Sequence, residues 1–311
     1  MEKLNSSLVG KRVQLMKNKK IIKQSKISWA IAQFLIIVIL QNVSQLVFLG
    51  IYHVWNPNRP IMDVQSQTFL FFELLSTGLS AILVVSYAWY FSKLKTACYK
   101  FSYQKLSSGY RGIMESSVAI GCITIISCCS GVGILTINPL ANPLKIVCFG
   151  LAFLIQGISE ELIFRWYLLS QLTSKFSITI SIVIDSLLFS FVHIAGDGAS
   201  PLNLLNLFLF SIWCCLNYYY RQNIWITGVM HGFWNFDLAI LLGSSISGVH
   251  ITGMLATLDN TSTEIAKMLV GGDQGLESGG IVTLVILVVC LLYGLIIRKM
   301  LVNKDRRFKF D

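Results

Sequence analysis

The chain has 311 residues, of which 54% are hydrophobic and 13% charged, with a mean hydropathy of +0.67. Soluble globular chains carry about 25% charged residues, so an aqueous fold could not place this much apolar surface inside itself. The apolar runs are continuous rather than alternating, which excludes a β-barrel and leaves an all-α, polytopic membrane protein. The net charge of +10 does not call for nucleic acid. The basic residues carry no interleaved aromatics or binding motif and sit beside apolar runs, where the positive-inside rule places them.

About 20 apolar residues cross a bilayer as a helix, and eight such spans are predicted, at 27–52, 68–92, 112–137, 145–169, 177–195, 202–220, 223–246 and 281–298. Before the first lies a basic segment, 1–26, with Lys3, Lys11, Arg12, Lys17, Lys19, Lys20, Lys23 and Lys26. The run from Ile27 to Tyr52 is too long for the h-region of a cleavable leader and has no A-x-A-like site. Residues 27–111 hold two spans and a basic loop, 112–298 form the core, and 299–311 are a basic tail. Eight cysteines, among them Cys128-Cys129 and Cys214-Cys215, show no metal or disulfide spacing and are expected to pack as small hydrophobes.

Loop charge sets the expected orientation. With both termini cytoplasmic, the outer segments hold only Arg59, Lys145 and Lys267, while the inner loops and tail take the basic residues outside Arg165. The long outer connection, 247–280, ends in Gly271-Gly-Asp-Gln-Gly-Leu-Glu-Ser-Gly-Gly280, which reads as a flexible turn with a lid as the alternative.

Ionisable groups inside a bilayer are costly and mark function by default. The fourth span reads Gly157-Ile-Ser-Glu160-Glu161-Leu-Ile-Phe-Arg165. Glu161 and Arg165 are four apart and share a face, so Arg165 can neutralise Glu161. Glu160 points about 100° away with no partner expected on its own helix. A structural ion-pair knot is the alternative. The fifth span ends in Phe189-Ser-Phe-Val-His193, where Phe189 packs to orient the ring and a satisfied polar anchor is the alternative for the histidine; Asp185 reads as an unrelated polar contact, with support of the site as the alternative. The seventh carries His231 and Asn235 one turn apart, with Asp237 on another face; a helix–helix polar clasp is the alternative there. Glu160, His193, His231 and Asn235 together supply a base, two imidazoles and an amide donor, an inventory for activating water and stabilising an oxyanion. It would equally serve as three or four ligands around a zinc with one open position. Ser159 has no neighbour to activate it as a nucleophile.

In order, E-E-x-x-x-R, F-x-x-x-H and H-x-x-x-N on three apolar helices resemble the CPBP family, which comprises type II CAAX prenyl endopeptidases and bacterial relatives linked to bacteriocin processing and self-immunity, also called the Abi domain. The resemblance covers roughly residues 115–300. It implies an eight-helix intramembrane endopeptidase cleaving a peptide or protein substrate at the membrane. Glu160 and His193 would activate water, His231 and Asn235 would hold the oxyanion, and Glu161 with Arg165 would support the site. Both a zinc mechanism, with Glu160, His193 and His231 as ligands, and a metal-free glutamate mechanism are implied, and the residues leave the two open. The expected setting is a bacterial plasma membrane, with the substrate and the oligomeric state undetermined. A catalytically idle scaffold acting by binding is the alternative. A transporter is disfavoured because no pair of matching broken helices is present.

Overall fold

The computed structural model describes residues 2–60, 66–91, 105–194, 200–245 and 255–302, with the backbone alone for 2–24. The basic side chains expected before Ser25, at 92–104 and beyond Val302 therefore lie outside the described residues, as does the outer connection at 246–254.

Nine helices and one pair of strands make up the described chain. They are α1 (Glu2–Trp55), α2 (Gln67–Phe91), α3 (Tyr110–Cys129), β1 (Gly133–Ile137), α4 (Pro143–Glu161, continued by a π-helical stretch Leu162–Leu169 and Ser170–Thr173), α5 (Ile178–Val192), α6 (Pro201–Arg221), α7 (Ile224–Phe236, followed by a π turn Asp237–Leu241), β2 (Ala256–Asn260), α8 (Glu264–Val270) and α9 (Gly280–Val302). Six of them, α1, α2, α3, α4, α6 and α9, are long and apolar enough to cross a membrane. The chain is an all-α integral membrane protein apart from its strand pair. Caps match the sequence at several starts: Pro143 and Pro201 follow Asn142 and Ser200, whose side chains accept backbone N–H groups at the helix N-termini.

Three expected spans end differently. The third stops at Cys129 rather than 137: Ser130 Oγ bonds the Ile126 carbonyl at 2.6 Å, and Gly131 turns the chain at φ +71°. The apolar residues beyond it become β1, antiparallel to β2 with Ile134 opposite Asp259. The fifth is 15 residues long because His193 uncoils its end. Its backbone N–H bonds Ser190 O at 3.2 Å, and the ring takes the Phe189 carbonyl at 2.8 Å. The seventh has 13 α-helical residues before Asp237. Most of these are buried by protein, so packing rather than bilayer thickness sets the length of α7.

The helices form an enclosed centre. α4 packs most extensively on α7, and α7 in turn on α3; α6 pairs with α9 and with α5, while α2 lies between α1 and α4. A belt of Ile27, Ile31, Leu35, Ile39 and Val43 on α1 stays exposed at a spacing of four, as a lipid-facing stripe does.

Candidate active site

Glycines bring the two motif-bearing helices together. A Cβ on Gly157 of α4 would lie 2.2 Å from Gly232 N and 2.5 Å from Gly232 Cα, and one on Gly228 would meet Ile158 Cα at 2.9 Å. Backbones this close leave no room for side chains, the arrangement small residues four apart permit between membrane helices. Just past the crossing, Glu160 and Glu161 come off α4 opposite His231 of α7.

Both carboxylates reach that ring. His231 Nδ1 lies 2.8 Å from Glu161 Oε1, and His231 Nε2 lies 3.8 Å from Glu160 Oε2. The first is a hydrogen bond from Nδ1–H, which fixes the ring and presents Nε2 to Glu160. The second is too long for direct bonding. Glu160 Oε2 is buried without a hydrogen-bond partner, in a residue 7% exposed.

The other oxygen of Glu160 corrects a prediction. Gln156, one turn earlier on the same helix, donates to Glu160 Oε1 at 2.9 Å, so Glu160 does have a partner on α4. The same amide accepts from Asn235 Nδ2 at 2.9 Å. Glu160, Gln156 and Asn235 thus form one chain across the α4–α7 contact, and Asn235 keeps a second N–H. Gln156 was legible as a residue four before Glu160, a neighbour on a helix surface.

Arg165 is bound more widely than the pair with Glu161 predicts. Its Nη1 lies 3.0 Å from Glu161 Oε1, and its Nη2 donates to Ser211 O at 3.1 Å and Ser211 Oγ at 2.8 Å. Nε lies 3.8 Å from Asp185 Oδ2, and the guanidinium sits 4.8 Å from the Phe189 ring centroid. Asp185 also accepts from Cys215 Sγ at 3.3 Å. The expectation that Asp185 is unrelated to the motif is overturned: it lies two turns before His193, faces the bundle, and supplies a second anion to a fully buried cation. Asp237 does pair elsewhere, with Ser116 and Ser117.

His193 stands at the end of α5, partly buried, its ring 4.9 Å from that of Phe189, which in turn lies 5.9 Å from the ring of His231. With Nδ1 held by the Phe189 carbonyl, Nε2 is the nitrogen left to act. Two carboxylates that the motifs do not include are coupled to it electrostatically. Glu73 of α2 acts electrostatically on Glu160 and His193. Glu277, in a 3-10 turn before α9, lies with Asn206, Phe210 and Trp234 around a small space, accepts from the side chain of Trp234, and is coupled electrostatically to His193, His231 and Glu160. Burial pushes the Glu277 carboxyl above its ordinary range, while the two histidines and the Trp234 bond pull it back. Neither had a sequence signal beyond being a lone acid in an apolar helix and an acid in a glycine-rich loop.

The Gly271–Gly280 stretch is a turn held to its neighbours by hydrogen bonds. Asn206 of α6 donates to Glu277 O at 2.7 Å and Gly279 O at 3.1 Å, and Leu276 N donates to Ser244 Oγ at 2.9 Å. Gly275, at φ +84°, has Ser245 O 2.7 Å from where a Cβ would be.

The donor set fits a metal poorly. Among the described residues, the group whose ligand atoms all lie within 4.8 Å of one another is Glu161, Cys214 and His231. Glu160 and His193, ligands under the zinc alternative alone, are outside it. Two members of that group are already bonded to each other, and Glu161 is neutralised by Arg165 at 3.0 Å. A divalent ion there would have to displace that bond and sit against a buried guanidinium.

Residues 142–236 match the family model of the type II CAAX prenyl endopeptidase Rce1-like proteins. The matched stretch contains all seven motif residues and is similar, at family level, to a CAAX-type membrane endopeptidase. No curated protein and no solved structure matches the chain.

Proposed function

We propose that this protein is an intramembrane endopeptidase that hydrolyses a peptide bond of a membrane-associated or secreted peptide or protein. The observation that supports it most directly is Glu160 Oε2, buried, unpartnered and 3.8 Å from His231 Nε2. Glu161 and Asp185 also leave one oxygen without a hydrogen bond, but both lie against the buried guanidinium of Arg165; Glu160 has no such pairing, and its bare Oε2 faces the Nε2 edge of His231.

In this scheme Glu160, with His193, takes a proton from water as the oxygen attacks the scissile carbonyl carbon. Charge then develops on the carbonyl oxygen, where His231 in its protonated form, through Nε2, and the second amide hydrogen of Asn235 receive it. The proton returns to the amine as the C–N bond breaks. Glu161 and Arg165 orient His231, and Gln156 orients Glu160 and Asn235 together. No step needs a metal, consistent with the donor chemistry at the site. The charge distribution supports cytoplasmic termini, and the composition supports a bacterial plasma membrane, with a role in maturing a peptide or bacteriocin, or in self-immunity.

The test is to reconstitute the wild type and Glu160→Gln in liposomes with membrane and secreted peptides of the host, and to read new peptide termini by mass spectrometry. Wild type alone should generate them. The same fragments from both proteins, or none from either, would overturn the reading.

A further inference from the structure

The strand pair is closed on one side and open on the other. In its register Leu135 stands opposite Leu258, and Ile137 opposite Ala256. Leu258 N donates to the Leu242 carbonyl at 2.9 Å, on the side away from β1, so Leu135 and Leu258 are a non-hydrogen-bonded pair. The bonds that end the ladder, Thr261 N to Val132 O and Asn138 N to Leu255 O, fall on the alternate positions. The N–H and C=O groups of Leu135 and Ile137 therefore point outward, away from β2. Among the described residues, no hydrogen bond outside the strand pair involves either of them.

The side chains tell the same story. Ile134, Leu135 and Ile137 are 55%, 45% and 77% exposed, so both faces of β1 are bare. Charged residues, prolines and bulges are what usually keep a further strand off an edge; Gly133–Ile137 has none of them, and its register is unbroken. Acyl chains cannot satisfy the outward N–H and C=O groups, so the edge calls for another polypeptide. A second copy has little to gain here. Five residues extend about 17 Å, far too short a seam for the roughly 1,200 Å² that a stable interface buries. A transient, extended, uncharged segment fits better. The edge is also tied to both helices of the site: β1 leads into α4, and β2 hangs from Ile240 and Leu242, directly after α7.

We infer that the free edge of β1 receives the substrate as a third strand, through the N–H and C=O groups of Leu135 and Ile137, and selects apolar segments that favour an extended backbone. This inference rests on the proposed peptidase activity and names its substrate class. Main-chain bonds supply the affinity, and the bare side chains of Ile134, Leu135 and Ile137 supply the preference for apolar residues.

The probe is a pair of 16-residue peptide sets of equal mean hydropathy, one rich in Val and Thr, the other in Ala and Leu. Each is added to Glu160→Gln in detergent, and hydrogen exchange is read at single amides. Without peptide, the amides of Ile134 and Thr136 should exchange slowly and those of Leu135 and Ile137 fast. The Val/Thr set, at about ten times its Kd, should slow the latter two about tenfold. The Ala/Leu set should bind about tenfold more weakly. Leu135→Pro removes an outward N–H and none that pairs with β2, a position where proline is tolerated. With Glu160 intact, it should raise KM for the Val/Thr set about tenfold with kcat changed less, and Leu135→Val, which keeps the N–H, should raise it far less. Protection of Leu135 and Ile137 by peptide, with no cleavage by wild type, would overturn the peptidase reading and leave the added strand standing. Cleavage with neither amide protected would overturn the added strand and leave the peptidase. Equal protection by the two sets would overturn the stated preference. Protection without peptide that rises with protein concentration would give the edge to a second copy and overturn the inference. If Leu135→Pro fails to fold, the exchange measurement, made with β1 unaltered, decides alone.

Discussion

Glu161 holds His231 and Arg165 with the same oxygen: Oε1 lies 2.8 Å from the ring Nδ1 and 3.0 Å from Arg165 Nη1. The second glutamate of the motif therefore joins the stability of the bundle to the aim of the imidazole. Glu161→Gln should lower both. An uncompensated buried Arg165 costs roughly 3–5 kcal/mol, and His231 loses its anionic anchor. Glu160→Gln, whose parent carboxylate is paired with no buried guanidinium, should melt near the wild-type temperature in detergent while losing turnover. Melting and cleavage measured on both variants check the division; equal destabilisation would contradict it.

Gln156 ties Glu160 to Asn235. Gln156→Leu keeps the bulk and removes both bonds, each a neutral or charge-assisted bond worth about 1 kcal/mol or more. The expected result is a kcat lower by about tenfold or more, with KM changed less. An unchanged kcat would show that Glu160 is aimed by something else.

Gly157→Ala tests the helix crossing. Its Cβ would be placed 2.2 Å from Gly232 N, so α4 and α7 must separate, at a cost of roughly 1–3 kcal/mol for overpacking. The separation also widens the gap between Glu160 and His231. A lower unfolding temperature together with lost activity is expected. By contrast, Gly121→Ala on α3, where a Cβ meets nothing within 4 Å, should be silent in both assays.

Chelation should leave the peptidase active. Glu161, Cys214 and His231 are the grouped donors, and Arg165 already occupies the charge of that carboxylate. Cleavage retained after dialysis against a zinc chelator is the expected outcome; loss of activity restored by added zinc would favour the ligand scheme.

Both termini should lie on one face, opposite the β1–β2 pair. Single cysteines introduced near residue 260 and at each end, in a background without native cysteines, should label from opposite sides of sealed vesicles. A C-terminus reactive from the same side as β2 would refute this.

The site's main partners were readable because they obey helix spacing. Glu161 with Arg165, and His231 with Asn235, are four apart, and each pair does face the interior. The same rule applied one turn back would have found Gln156. Asp185 was misjudged because its partner, Arg165, lies on another helix, where spacing along the chain is silent. Glu73 and Glu277 escaped for the same reason: their electrostatic coupling to His193 runs between separate elements of the fold. The strand β1 was absorbed into the third span since Gly-Ile-Leu-Thr-Ile is simply apolar, and five residues are too few to tell a period of two from 3.6. The end of α5 was set by a ring-to-carbonyl bond that has no composition at all.

From Ile163 to Leu169 every residue of α4 is buried, although the helix is long and apolar enough to cross a membrane. The first half of the same helix instead exposes Leu144, Val147, Leu151 and Ile155 along one stripe, so α4 meets lipid over one half of its length and protein over the other. Changes in acyl-chain length or fluidity would press on the half before Gly157. They would reach Glu160 along the helix itself, through little more than one turn of backbone.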